Sequence, residues 1–370
     1  MKSKRTLTIA LCCAGSTVLL AQGQAPPLPS APASPRPPSL QAPNDPGHAA
    51  LIANCRNPPP ARGGRGAAAG RGAAGGGGAQ PPGPRDYTVT EIPGVIAAGE
   101  QWKFIWQEAG NNGDGIVGTD DGSLLIAQND NSTVVRLDAN GRPSIVFSDT
   151  HTGGSLSMSS KGVLFIVARG LRTAIVQLAP RRAVLADRYR GDVLDCLGGN
   201  PNDLTAASNG GVYFTQGGVY YANPKGVVAR YGENVTPNGI VLSADEKTLY
   251  VTNGPTLAAF DVQPDGSLTN QREFARLEGG GNGDGSTIDA AGRVYVTTNP
   301  GVQAIGPDGK YLGIIPTPRG VISVAFGGSD KKTLFVLARG ARDADGNEVA
   351  NAAQVYAIHM IAQGYKGRAK

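Results

Sequence analysis

Four oxygen-bearing side chains recur at one position of a repeated pattern: Asp114 in Asn112-Gly113-Asp114-Gly115, Asn202 in Pro201-Asn202-Asp203, Asn238 in Pro237-Asn238-Gly239 and Asp284 in Asn282-Gly283-Asp284-Gly285. Each lies eight or nine residues ahead of the same polar turn. Taken singly, such steps are ordinary loop chemistry, because Asp and Asn tolerate unusual backbone angles. Four at one register ask for another explanation. Two carboxylates and two amides gathered without counter-cations are costly to desolvate, and a bound cation relieves that cost. Oxygen donors with no nitrogen or sulfur suit a hard divalent ion such as Ca²⁺, Mg²⁺ or Mn²⁺, and a carboxylate-rich site also accepts Zn²⁺. Two arginines accompany them, each ending a shared pattern: Phe165-Ile166-Val167-Ala168-Arg169-Gly170 and Phe335-Val336-Leu337-Ala338-Arg339-Gly340. Both are candidates to contact an anionic group of a bound molecule; the commoner outcome for such residues is a solvated loop.

The elements that must position these groups are short strands. A polar turn followed by a β-rich run occurs six times, at Asp120–Ile126, Ser160–Ile166, Asn209–Phe214, Asp245–Val251, Ala291–Val296 and Asp330–Val336. With register residues 122, 162, 210, 247, 292 and 332, the intervals are 40, 48, 37, 45 and 40 residues. Each is the length of one propeller blade, and each copy is a hairpin signal. Four-stranded units that bury little alone must stack around an axis. The spacing therefore predicts an all-β, six-bladed β-propeller over 86–370, with Tyr87 to Ile92 supplying the outermost strand of the last blade. In such a ring the first strand of each blade lines the central channel, so the four donors converge on one mouth. The second strand runs antiparallel, which returns Arg169 and Arg339 to that mouth.

Composition narrows the chemistry. Of 34 basic and 29 acidic residues, nine basic and one acidic fall in residues 1–85, so the remainder is slightly acidic. A positive footprint for phosphate backbones is absent from the expected domain, and nucleic acid is not an expected partner. With three histidines, one of them His48 in the leader region, a three-histidine zinc site is excluded. Lys2, Lys4 and Arg5 followed by an apolar run from Leu7 to Ala21 read as a signal peptide over 1–23. The run is short of the ~20 residues that span a bilayer, so an exported protein, periplasmic or secreted, without a stable membrane anchor is expected. Residues 24–85, rich in Pro, Ala, Gly and Arg, read as a disordered linker. Cys55 and Cys196 remain available to pair in an oxidising compartment, but spacing alone does not decide it. A monomer is expected.

The same residues give the chain its resemblance to the gluconolactonase, senescence marker protein and luciferin-regenerating enzyme family of six-bladed propellers. The most specific segments are Pro237-Asn238-Gly239 through Tyr250-Val251-Thr252 and Gly283-Asp284-Gly285 through Val294-Tyr295-Val296. The resemblance implies one divalent metal held by Asn238, Asp284 and a first-blade acid. That acid is usually Glu in the family and Asp114 here. It also implies that Asn202 contacts substrate or water, with Asp203 beside it; an arginine usual two residues before Asn202 is replaced by Asn200. The expected reaction is metal-assisted hydrolysis of a lactone or small ester, with Asp284 accepting the proton of the attacking water. The rival reading is a non-catalytic propeller that binds a polypeptide or glycan and holds a structural ion.

Overall fold

The computed structural model describes residues 39–59, 83–279, 281–367 and 370. Among these residues six four-stranded antiparallel sheets stand around one axis, and in five of them the strands follow one another in sequence from the inside outwards. Blade 1 comprises Gly113–Gly118, Leu124–Gln128, Thr133–Leu137 and Pro143–Phe147; blade 2 comprises Leu156–Met158, Leu164–Ala168, Ala174–Ala179 and Ala183–Ala186. Blades 3, 4 and 5 begin with Leu204–Ala206, Pro237–Leu242 and Ser286–Ile288. Blade 6 takes its inner three strands from Val321–Gly327, Thr333–Arg342 and Glu348–His359, and its outer strand from Lys103–Ala109.

That last pairing corrects the expected closure. The ring is sealed by an N-terminal strand, but it is Lys103–Ala109, while Ile92 makes only an isolated bridge to Ile96. Val89, Ile92 and Trp102 bury instead against the apolar seam between blades 5 and 6. Two apolar runs compete for one sheet edge, and the one with better cover available elsewhere leaves it.

The blades adhere through apolar layers. Six clusters of buried side chains fill the six interfaces, such as Phe165, Val167 and Ile175 of blade 2 against Leu204, Val212 and Phe214 of blade 3. Each large side chain so buried contributes roughly 1.5–3 kcal/mol. Towards the axis the inner strands come closer than side chains allow: a Cβ on Gly239 would lie 2.1 Å from the Asp284 carbonyl oxygen, and one on Gly118 would lie 2.3 Å from that of Phe326. Gly239, which reads as a turn residue in the sequence, is there to let neighbouring blades touch.

Residues 39–59 lie within the stretch expected to be a disordered linker, and the structure corrects that part of it. They form a 3₁₀ turn at Ala42–Asn44 and a short helix at His48–Ile52. Ser39 N donates to Asp130 O (2.8 Å), Ala42 N to Arg169 O (2.7 Å), and a Cys55–Cys196 disulfide with Cα atoms 5.7 Å apart pins the segment to the 3₁₀ turn Leu194–Leu197 between blades 2 and 3. Backbone hydrogen bonds and a covalent link order a Pro-rich segment that has little apolar surface to bury. The expected signal peptide and the rest of the linker lie largely outside the described residues. No helix among the described residues is long and apolar enough to cross a membrane.

Candidate active site

The donors reach the channel through an irregularity that three blades share. The pairing of the two inner strands slips between Gly113 and Ile116, between Pro237 and Ile240, and between Val321 and Ser323. A bulge of this kind re-aims the side chain it carries, here those of Asp114 and Asn238. Asn202 and Asp284 stand just ahead of their inner strands, with Asn202 N donating to Thr215 O (2.7 Å) and Asp284 N to Thr297 O (2.9 Å). Threonine hydroxyls then fix blade to blade at this level. Thr215 Oγ1 donates to Asn238 O (2.6 Å), Thr252 Oγ1 to Asp284 O (3.2 Å) and Thr297 Oγ1 to Ile322 O (3.2 Å). The first two bonds hold the backbone of Asn238 and Asp284, and the third ties blade 5 to blade 6.

Asp114, Asn202, Asn238 and Asp284 all line this mouth half-buried. Arg169 comes between the first two. Its side chain is only 2 % exposed; Nε donates to Pro201 O (2.8 Å), Nη1 forms an ion pair with Asp114, and Nη2 donates to the backbone and side-chain oxygens of Asn202. Asn202 Nδ2 in turn donates to Asn238 Oδ1. The Arg339 side chain makes no hydrogen bond or ion pair among the described residues, and its buried Nε is without a partner. Asp284 likewise receives no hydrogen bond on its carboxylate among them. Burial pushes that carboxyl up to about 7; the Arg339 cation opposes this, Asp114 and Asp203 add to it, and Arg169 opposes it.

Asp203 points one step deeper. It accepts from Ser155 Oγ, Leu204 N (2.9 Å) and Ile240 N (2.9 Å), and it pairs with Lys370. The C-terminal segment brings that lysine across the opposite end of the channel, where Ala290 N donates to Gln363 O (2.8 Å) and Gly364 N to Lys331 O (2.8 Å). Asp203 is thus tied to three blades and a cation, which is a scaffolding environment. Lys370 has no signal in a repeat-based reading, because it belongs to no repeat.

Among the described residues, three carboxylates, Asp114, Asp203 and Asp284, thus meet three cationic side chains, Arg169, Arg339 and Lys370. The premise of unaccompanied carboxylates is corrected: the chain carries its own counter-cations. Among the described residues no three His, Cys, Asp or Glu side chains gather as a ready metal cluster. The converging set is two carboxylates with two amides, all oxygen donors, and it already attracts one cation, the Arg169 guanidinium. Its chemistry fits a hard divalent ion at Asn238 and Asp284, whereas Asp114 is engaged elsewhere.

Residues 119–339 match the family model described as SMP-30/Gluconolactonase/LRE-like region. The chain belongs to this family. A gluconolactonase of Zymomonas mobilis is 27% identical over 217 residues, which is 50% of this chain and 60% of that protein. The chain thus spans less than two thirds of that relative's length. Among solved structures, a gluconolactonase from Xanthomonas campestris superposes with a TM-score of 0.61 at 22% identity, covering 78% of this chain and 99% of the other. A calcium-binding protein, regucalcin, from Agrobacterium tumefaciens does so with a TM-score of 0.53 at 18% identity, covering 69% and 93%. At these identities the superpositions establish the six-bladed fold of this SMP-30/gluconolactonase-family chain.

Proposed function

We propose that the chain hydrolyses a lactone, a sugar lactone or related small cyclic ester, at the channel mouth. The observation that carries this reading is the convergence of Asp114, Asn202, Asn238 and Asp284 on one mouth, in a chain whose relatives include gluconolactonases. Asn238 and Asp284 would hold a divalent ion, with Asp114 able to join them only when it is free of Arg169, in keeping with the calcium-binding character of the regucalcin neighbour. Such an ion polarises a carbonyl and lowers the pKa of bound water.

The chain's own groups divide the remaining work. Asp284 takes a proton from the attacking water, whose oxygen bonds to the carbonyl carbon. Arg339, with hydrogen-bond donors unspent, faces the negative charge that develops on the carbonyl oxygen. Preorganised donors of this kind gain strength in a partly dry site. The ring C–O bond then breaks, the proton returns to the leaving alkoxide, and a hydroxy acid results. Asn202 orients the substrate hydroxyls. The arm at residues 39–59 borders the pocket on one side, since its Gln41 side chain meets Asn200, two residues before Asn202.

Incubation of the purified protein with a panel of γ- and δ-lactones, followed by acid release at constant pH, tests the assignment. Turnover of at least one lactone, lost on adding EDTA and lost in Asp284→Ala with the unfolding midpoint preserved, is the expected result. A folded, metal-supplemented protein inert towards the whole panel would overturn it in favour of a binding role. We propose in addition that the chain works outside the cytoplasm, a reading supported by the Cys55–Cys196 disulfide. Recovery of the protein from cytoplasmic extract with both thiols free would refute that.

A further inference from the structure

We propose that Arg169 competes with the divalent ion for Asp114 and Asn202, so that with the guanidinium seated the ion's side-chain ligands reduce to Asn238 and Asp284. This rests on the metal reading above. Three observations carry it. First, the guanidinium occupies the space between these two donors and satisfies its hydrogen bonds on them and on Pro201 O. Second, the space exists because blade 2 has glycine at the register position where other blades carry a donor: a Cβ on Gly154 would lie 2.2 Å from Arg169 Cζ and 2.4 Å from its Nε. Third, Arg169 has no easy exit, since it is almost wholly buried and its carbonyl accepts from Ala42 N of the docked arm.

Two cations cannot share one carboxylate at such range without mutual repulsion, which is strong where water is scarce. The blade 6 arginine shows that the arrangement is specific. Arg339 ends an equivalent strand, but there the facing inner strand bulges between Val321 and Ser323, with Val321 opposite Ala338, and the Arg339 side chain forms no ion pair among the described residues. The family's usual first-blade glutamate is here an aspartate that a neighbouring blade has already neutralised. The consequence is a metal site with a built-in competitor, weaker and more readily exchanged than its four donors would provide.

Calorimetric titration of metal-stripped wild type, Arg169→Gln and the double variant Arg169→Gln/Asp114→Asn with CaCl₂ and MnCl₂ tests this. The expected result is ion affinity about 10-fold higher in Arg169→Gln, the scale on which groups flanking metal ligands act. That variant should also melt lower than wild type in EDTA and recover on adding Ca²⁺, while the double variant stays within about threefold of wild type because the gain needs a free Asp114. Equal affinity in wild type and Arg169→Gln overturns the competition and leaves the metal reading standing. No ion binding by any of the three overturns both. If Arg169→Gln does not fold, the double variant decides, since both partners of the pair are then neutral: a loss of 10-fold or more from wild type would show Asp114 to be a ligand already and refute the proposal.

Discussion

Arg169 and Arg339 end nearly identical segments in the two blades that flank blade 1, yet one is an interior strut and the other an unspent charge. Arg169 is bonded to Asp114, Pro201 and Asn202. Arg339 carries a buried Nε without a partner and lies within electrostatic range of Asp284. The strand pairs differ at this point: Gly154 leaves room for the Arg169 guanidinium, whereas the inner strand of blade 6 bulges between Val321 and Ser323, with Val321 opposite Ala338. The missing Cβ at Gly154 is what lets the Arg169 guanidinium enter the ring of donors. The two outcomes also differ in what they serve: the first contributes stability and subtracts from metal binding, and the second is available to a substrate.

The largest effect expected from this contrast is on folding. Arg169→Ala leaves Asp114 as an uncompensated, largely buried charge and should cost about 3–5 kcal/mol by urea denaturation, whereas Arg339→Ala should change the same quantity by less than about 1 kcal/mol. Equal losses would erase the distinction. On turnover the order reverses. Arg339→Ala should lower kcat/KM for the best lactone about 100-fold, the effect of removing one oxyanion donor, with the melting temperature retained. Gly154→Ala comes next: its methyl group collides with Arg169, and overpacking of this kind costs about 1–3 kcal/mol. It should also raise ion affinity, as Arg169→Gln does, because it expels the same guanidinium. Ser323→Ala, at the bulge of the blade 6 inner strand, removes only a hydroxyl that accepts from Ile116 N at 3.3 Å. It should alter stability by about 1 kcal/mol or less.

The ring was legible because its period is carried by local chemistry. A polar turn and a β-rich run every forty or so residues need no long-range information, and neither does the common register of Asn202, Asn238 and Asp284. What escaped depends on contacts between distant segments. Nothing local distinguishes Tyr87–Ile92 from Lys103–Ala109 as the sealing strand; the choice follows from where Val89, Ile92 and Trp102 find cover. The two arginines are alike in sequence, and what separates them lies on the facing inner strands, a glycine at 154 in one blade and a bulge between Val321 and Ser323 in the other. The ordered arm at 39–59 was hidden by its own composition, since its anchors are a disulfide spanning 141 residues and hydrogen bonds from main-chain atoms. Lys370 pairs with Asp203 across 167 residues of sequence, a contact that no repeat could announce.

The sealing of blade 6 bears on the order in which the molecule can be made. Blades 1 to 5 are each one uninterrupted run of chain, and their hairpins can form as soon as they are synthesised. Lys103, by contrast, must wait for Ala357. Throughout that interval Lys103–Ala109 is a finished strand with an unpaired edge, open to any passing strand of another chain. The seam that makes the ring permanent is therefore also its point of greatest exposure while it is being built, and crowding of newly made chains should be felt there first.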